Sequence, residues 1–107
     1  MGANTFSNYA KNTNAKNAFD CLVNQALHQF GHNGYSGTIA EKRAYGFVML
    51  TAPGEYLTEA AAHALIELVL DEQSDHVEAK RVADKYGPAG CIALSKTEFV
   101  FFGWAAS

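Results

Sequence analysis

Basic charge, cysteine and long apolar runs are all scarce in this sequence, and each shortage removes a class of function. Eight Lys and Arg stand against eleven Asp and Glu, a formal charge of −3, whereas a polyanion is held by a surplus of cationic side chains. Nucleic-acid binding is therefore not expected. Two cysteines, Cys21 and Cys91, are too few for the disulfide framework of a small secreted domain, so both are expected as buried, reduced thiols. The apolar run "ALIELVL" is broken by Glu67, far short of the roughly 20 residues a membrane helix needs. The N-terminus "MGANTFSNYAKNTNAKN" is polar and lacks the apolar segment of a secretory signal. Phe6 stands where a myristoylation signal has Ser or Thr. A cytoplasmic protein with no membrane partner is expected.

What is present is core material. The 107 residues are 49% apolar and include seven Phe, five Tyr and one Trp, enough for one packed interior and not for two. Residues 1–14 carry four Asn and little apolar periodicity, and read as a loose polar arm before a single domain over 15–107. From Ala15 the stretch "AKNAFDCLVNQALHQF" repeats apolar residues at three- and four-residue steps, which predicts a helix capped by Asn12, Thr13 or Asn14 and stopped at Gly31. Thr38–Glu41 and Tyr45–Thr51, rich in β-branched and aromatic residues, predict a hairpin. Thr58 caps a second helix running to about Asp71, apolar around most of its circumference, as in a helix buried on two sides or facing a second copy of the chain. "SDHVEAKRVADKYG" predicts a third helix, with Asp75 and Glu78 at capping-box spacing. "CIALS" and "EFVFFGWAA" form a second hairpin whose last strand is apolar on both faces, and so belongs inside a sheet. The fold expected is α+β, with two β-hairpins in an antiparallel sheet and three packed helices in the order α-β-β-α-α-β-β.

One pattern occurs twice: "GYSGTIA" from Gly34 and "GPAGCIA" from Gly87. Each follows a predicted helix and opens a predicted strand. Two readings stay open, an internal αββ repeat or two solutions of one mechanical problem, in which glycine reverses the chain and lets backbones approach closely. The copies differ in chemistry. The first is surrounded by His32, Asn33, Tyr35, Ser36, Thr38, Glu41 and Lys42, and the second offers little besides Cys91 and Lys96. The first is the candidate ligand-binding loop, with Tyr35 for stacking, Ser36 and Thr38 for hydrogen bonds and Lys42 or Arg43 for a negative group. The competing reading is that Asn33, Ser36 and Thr38 only satisfy local backbone groups, as turn residues do.

Sharper chemistries find little support. His28 and His32 have helical spacing, but Gly31 intervenes and no HExxH or cysteine pair accompanies them, so no metal is expected. Cys21 and His28 lack an activating charge for a nucleophile pair. The Gly-x-Ser-x-Gly of a nucleophile elbow is absent. The glycines follow helix C-termini, where the dipole repels phosphate, and the KH fold's Gly-x-x-Gly joins two helices and not a helix to a strand. No cofactor and no catalytic residue is assigned.

At "GHNGYSGTIAEK" and "KYGPAGCIAL", and at the C-terminal "FVFFGWAAS", the chain resembles a set of small proteins encoded by bacteriophages and prophages. The resemblance runs along most of residues 18–107. It implies a context and not an activity: a phage accessory protein of counter-defence type that acts in the host cytoplasm by binding or sequestering a host protein or a nucleotide signal. The alternative is a small enzyme acting on a nucleotide-like substrate through Gly34–Lys42, with His32, Tyr35 and Glu41 in the site. The aromatic C-terminus and the apolar second helix add the expectation of a homo-oligomer.

Overall fold

A computed structural model describes residues 3–30, 38–70 and 87–106. Within them lie strand β1 (Ala3–Lys11), helix α1 (Ala15–Phe30), a 3-10 turn (Ile39–Lys42), strand β2 (Phe47–Met49), helix α2 (Glu59–Leu70), and strands β3 (Ala89–Ala93) and β4 (Glu98–Ala106). The four strands form one mixed sheet in the order β1-β4-β3-β2, with β4 antiparallel to both neighbours and β2 parallel to β3. The class is α+β, as expected.

The sheet is covered on both faces because β3 and β4 are apolar on both faces. Alternate residues of a strand point to opposite sides. Phe99, Phe101 and Ala105 join Ala89, Cys91 and Ala93 on one side, where α1 brings Ala18, Phe19, Val23 and Ala26. Val100, Phe102 and Ile92 lie on the other side, against Ala62, Ile66 and Val69 of α2. On the α1 side the rings of Phe19, Phe47 and Phe101 meet at centroid distances of 5.1 to 5.6 Å, with Phe47 and Phe101 edge to face. Such pairs add about 0.5–1.5 kcal/mol each beyond their buried area.

Both helices start where the sequence caps them. Asn14 Oδ1 accepts from the Asn17 amide at 2.8 Å, and Thr58 Oγ1 accepts from the Ala61 amide at 3.2 Å, each satisfying a donor the helix itself cannot. The far end of α2 is tied to the sheet by Trp104, whose Nε1 donates to the Leu70 carbonyl at 3.4 Å. Between β2 and α2 the chain turns at Pro53-Gly54, with Gly54 at φ +81° and the Glu55 amide donating to the Ala52 carbonyl, the arrangement of a type II turn. Buried Thr51 then accepts from the Ala93 amide at 3.2 Å, and Leu57 donates to the Ala93 carbonyl.

Three expectations are corrected. The loose arm over residues 1–14 is instead, from Ala3 to Lys11, an edge strand in unbroken register with β4. Its polarity follows from its position: Phe6 enters the α1-side core, while Thr5, Ser7 and Tyr9 point to the other, open side. The first hairpin does not form. Thr38 caps a 3-10 turn, its Oγ1 accepting from the Ala40 amide at 3.3 Å, so Ile39 and Ala40 reach the core from a turn and not from a strand. The segment after it, β2, pairs parallel to β3. With that the αββ repeat fails as well, because Ile39-Ala40 sits in a 3-10 turn and Ile92-Ala93 in β3. The third helix, expected over residues 74–86, lies outside the described residues.

The second glycine pattern has an architectural cause at Gly90. This residue faces Phe102 across the ladder, and a Cβ built on it would stand 2.7 Å from the ring's Cζ and 2.8 Å from Cε1. Phe102 is fully buried, so its ring yields only by displacing its neighbours. Gly90→Ala is therefore expected to lower stability by about 1–3 kcal/mol, the usual cost of overpacking. Urea unfolding of the two proteins checks this, and a midpoint unchanged by the substitution would contradict the packing described.

Candidate functional site

Of the seven residues expected to bind a ligand, His32, Asn33, Tyr35 and Ser36 lie outside the described residues. Thr38, Glu41 and Lys42 belong to the 3-10 turn and its cap. Thr38 borders a cleft of about 370 Å³ between α1 and β1, which Asn8, Gln25 and Gln29 also line. Lys42 is fully buried, and its Nζ donates to the Gly87 carbonyl at 2.8 Å. The first glycine segment is thereby tied to the second. Gly46, at φ +72°, closes the turn by donating to the Lys42 carbonyl and accepts from the Ala89 amide. Lys42 thus holds together the approaches to β2 and β3.

A different set of polar side chains converges on the opposite face of the sheet. Helix α2 packs over β2, β3 and β4 through Ala62, Ile66 and Val69, and leaves β1 uncovered on that side. Between them runs a half-open groove of about 290 Å³, lined by Ser7 and Tyr9 of β1, Glu59, Ala62, His63 and Ile66 of α2, and Leu94 and Val100. Its floor is apolar and its rim polar. Glu59 and His63 are one helical turn apart, which places both on one side of α2.

Behind Tyr9, just outside the residues that line the groove, the chemistry is organised by Glu98. Its carboxylate accepts from the Tyr9 hydroxyl at 2.6 Å and from the Ser95 hydroxyl at 2.9 Å, while the Thr97 amide donates to Ser95 Oγ. Both bonds favour the charged carboxylate. The Tyr9 bond, and after it the Ser95 bond, hold the Glu98 carboxyl below its ordinary value, helped by the charge of Lys11 and opposed by burial. The same bond raises the Tyr9 phenol, with burial and the charges of Glu98 and Glu59 acting the same way. A carboxyl held low in the folded state contributes stability above its unfolded value that is lost as pH falls through its folded value. A phenol held high contributes below its unfolded value and loses that contribution as pH rises through its folded one. The pair is therefore at full strength through neutral pH.

The cysteine inside the sheet does not fit a reactive role. Cys91 is buried in β3, and burial pushes its thiol up to about 12. Cys21, expected to be buried, is exposed on α1, where the Gln25 amide lies 3.9 Å from its sulfur; its place beside the apolar stripe of α1 leaves it on the outer side. Among the described residues no group of three His, Cys, Asp or Glu side chains is arranged to hold a metal ion, and no helix is long and apolar enough to cross a membrane.

Sequence reading missed Tyr9, Glu59, His63 and Glu98. Two signals were there: the alternation Thr5-Ser7-Tyr9 on one side of a strand, and Glu59 and His63 four apart on a helix. If Tyr9 governs the Glu98 carboxyl as its geometry implies, Tyr9→Phe will move that carboxyl upward toward the ordinary range. A carbon-detected NMR titration of the Glu98 side chain reads this directly, and an unmoved midpoint would contradict it. Comparison with protein-family models, with curated proteins and with solved structures gives no match.

Proposed function

We propose that this chain is a non-enzymatic binding protein and that the groove between α2 and β1 is where its ligand is held. The observation that supports this most is that the Glu98 carboxylate is already taken up by the Tyr9 and Ser95 hydroxyls, and the directions in which Glu98 and Tyr9 are perturbed agree with it. Acid–base catalysis works best when the catalytic group titrates near the working pH. Here Glu98 is pushed down and Tyr9 up, each away from neutrality. A carboxylate stabilised in that way is a weak base that keeps its charge through neutral pH, and a fixed charge suits recognition. An apolar floor with a few convergent polar groups is the usual make-up of a ligand site.

The resemblance to phage-encoded proteins supplies the biological side of the proposal, a counter-defence accessory that removes a host component from use. A nucleotide signal suits this groove poorly, because Glu59 and Glu98 would repel its phosphates. A nucleotide would have to be met elsewhere, by the segment around Tyr35 and Ser36. The groove favours a host component that lacks anionic groups.

The proposal is tested by incubating the protein with a bacterial extract, exchanging it into volatile buffer and recording native mass spectra. The protein is expected to retain a bound mass, recovered chemically unchanged on denaturation, and His63→Trp, a bulky side chain at an exposed position lining this groove, is expected to lose it. Equal retention by both proteins, retention of nothing, or release of a chemically altered mass would overturn the reading.

A further inference from the structure

The wall chemistry of this groove narrows the class of ligand. Resting on the reading that the groove holds a ligand, we propose that it takes a small organic cation, an ammonium group carried on an apolar ring or short chain. The cavity itself is the first argument. Ala62, Ile66, Leu94 and Val100 provide a floor on which an apolar body loses its water, and about 290 Å³ sits at the small end of ligand pockets.

Charge decides the rest. Glu59 stands on the rim with no hydrogen bond or ion pair to another described residue, and its negative charge is felt at the Tyr9 hydroxyl. Glu98 adds a second carboxylate behind Tyr9. Among the described residues no Lys or Arg lines the cavity, and Glu98 and Lys11, the cation that acts on it, both stand outside its walls. The phenol of Tyr9 spends its proton on Glu98 and so leaves its oxygen lone pairs for an incoming donor. Its ring is also an aromatic wall, which attracts cations to its face. The side chains of Ser7 and His63 complete a lining that, among the described residues, has several acceptors and no fixed positive charge. An anion meets the negative charge of Glu59 here, and a neutral apolar molecule gains nothing from it.

The test is an NMR titration at neutral pH and low salt with three probes of one shape: 2-phenylethylamine, 2-phenylethanol and 3-phenylpropionate. The amine is expected to shift amides of β1 and α2 and to bind about five-fold more tightly than the alcohol, the worth of one well-placed exposed ion pair, with the carboxylate weakest. Glu59→Gln, at an exposed position, is expected to remove most of the preference of amine over alcohol. Equal affinities for amine and alcohol, or a preference unchanged by Glu59→Gln, would overturn the inference. If the native spectra show a bound component that His63→Trp loses while the amine gains nothing over the alcohol, the cation assignment fails and the binding reading stands. If neither a component nor a probe binds, both fail.

Discussion

Strand β4 is packed from both sides at once, and the rest of the structure is registered on that constraint. The ring of Phe102 occupies the space a side chain at position 90 would need, and on the opposite face Phe101 meets Phe19 and Phe47. A central strand that carries large rings on both faces requires a helix on each side and a paired neighbour along each edge. Helices α1 and α2 supply the first, and β1 and β3 the second. Fully burying one such ring is worth about 1.5–3 kcal/mol, a large share of the small net stability a domain retains. The glycine at position 90 is the concession that lets Phe102 sit flush with the sheet.

The groove follows from unequal lengths. Strands β1 and β4 have nine residues each, β3 five and β2 three, and α2, which packs over β4, β3 and β2, leaves the long edge strand β1 uncovered on its side. An edge strand must then show one face to water, and β1 meets that need with Thr5, Ser7 and Tyr9. The same polarity that makes this face tolerable in water gives the groove its hydrogen-bonding wall. Stability and recognition thus draw on the same residues: the Tyr9–Glu98 bond joins β1 to β4 and at the same time fixes the charge at the end of the groove.

Much of this was legible in the sequence, for reasons that differ by element. Helix α1 announced itself because Phe19, Val23 and Ala26 keep a helical period and Asn14 caps it. The β3–β4 hairpin was legible because "FVFF" is apolar at consecutive positions, which only an interior strand tolerates. Strand β1 was not, since half its side chains face solvent, and Asn and Ser carry weak strand signals. Thr38 to Glu41 misled through its β-branched residues, because the capping hydroxyl of Thr38 outweighs propensity at so short a segment. The site was the least legible part. Lys42 read as a hand for anions, yet it is buried with its Nζ on the Gly87 carbonyl. Tyr9 and Glu98 are 89 positions apart, and no local pattern joins them.

Everything proposed for the groove depends on β1 being a strand and not an arm, and amide hydrogen exchange tests that most directly. With β1 paired along β4, alternate amides between Asn4 and Ala10 donate into the sheet and exchange far more slowly than unstructured chain. Uniform exchange at random-coil rates over these residues would contradict the fold at the groove's outer wall.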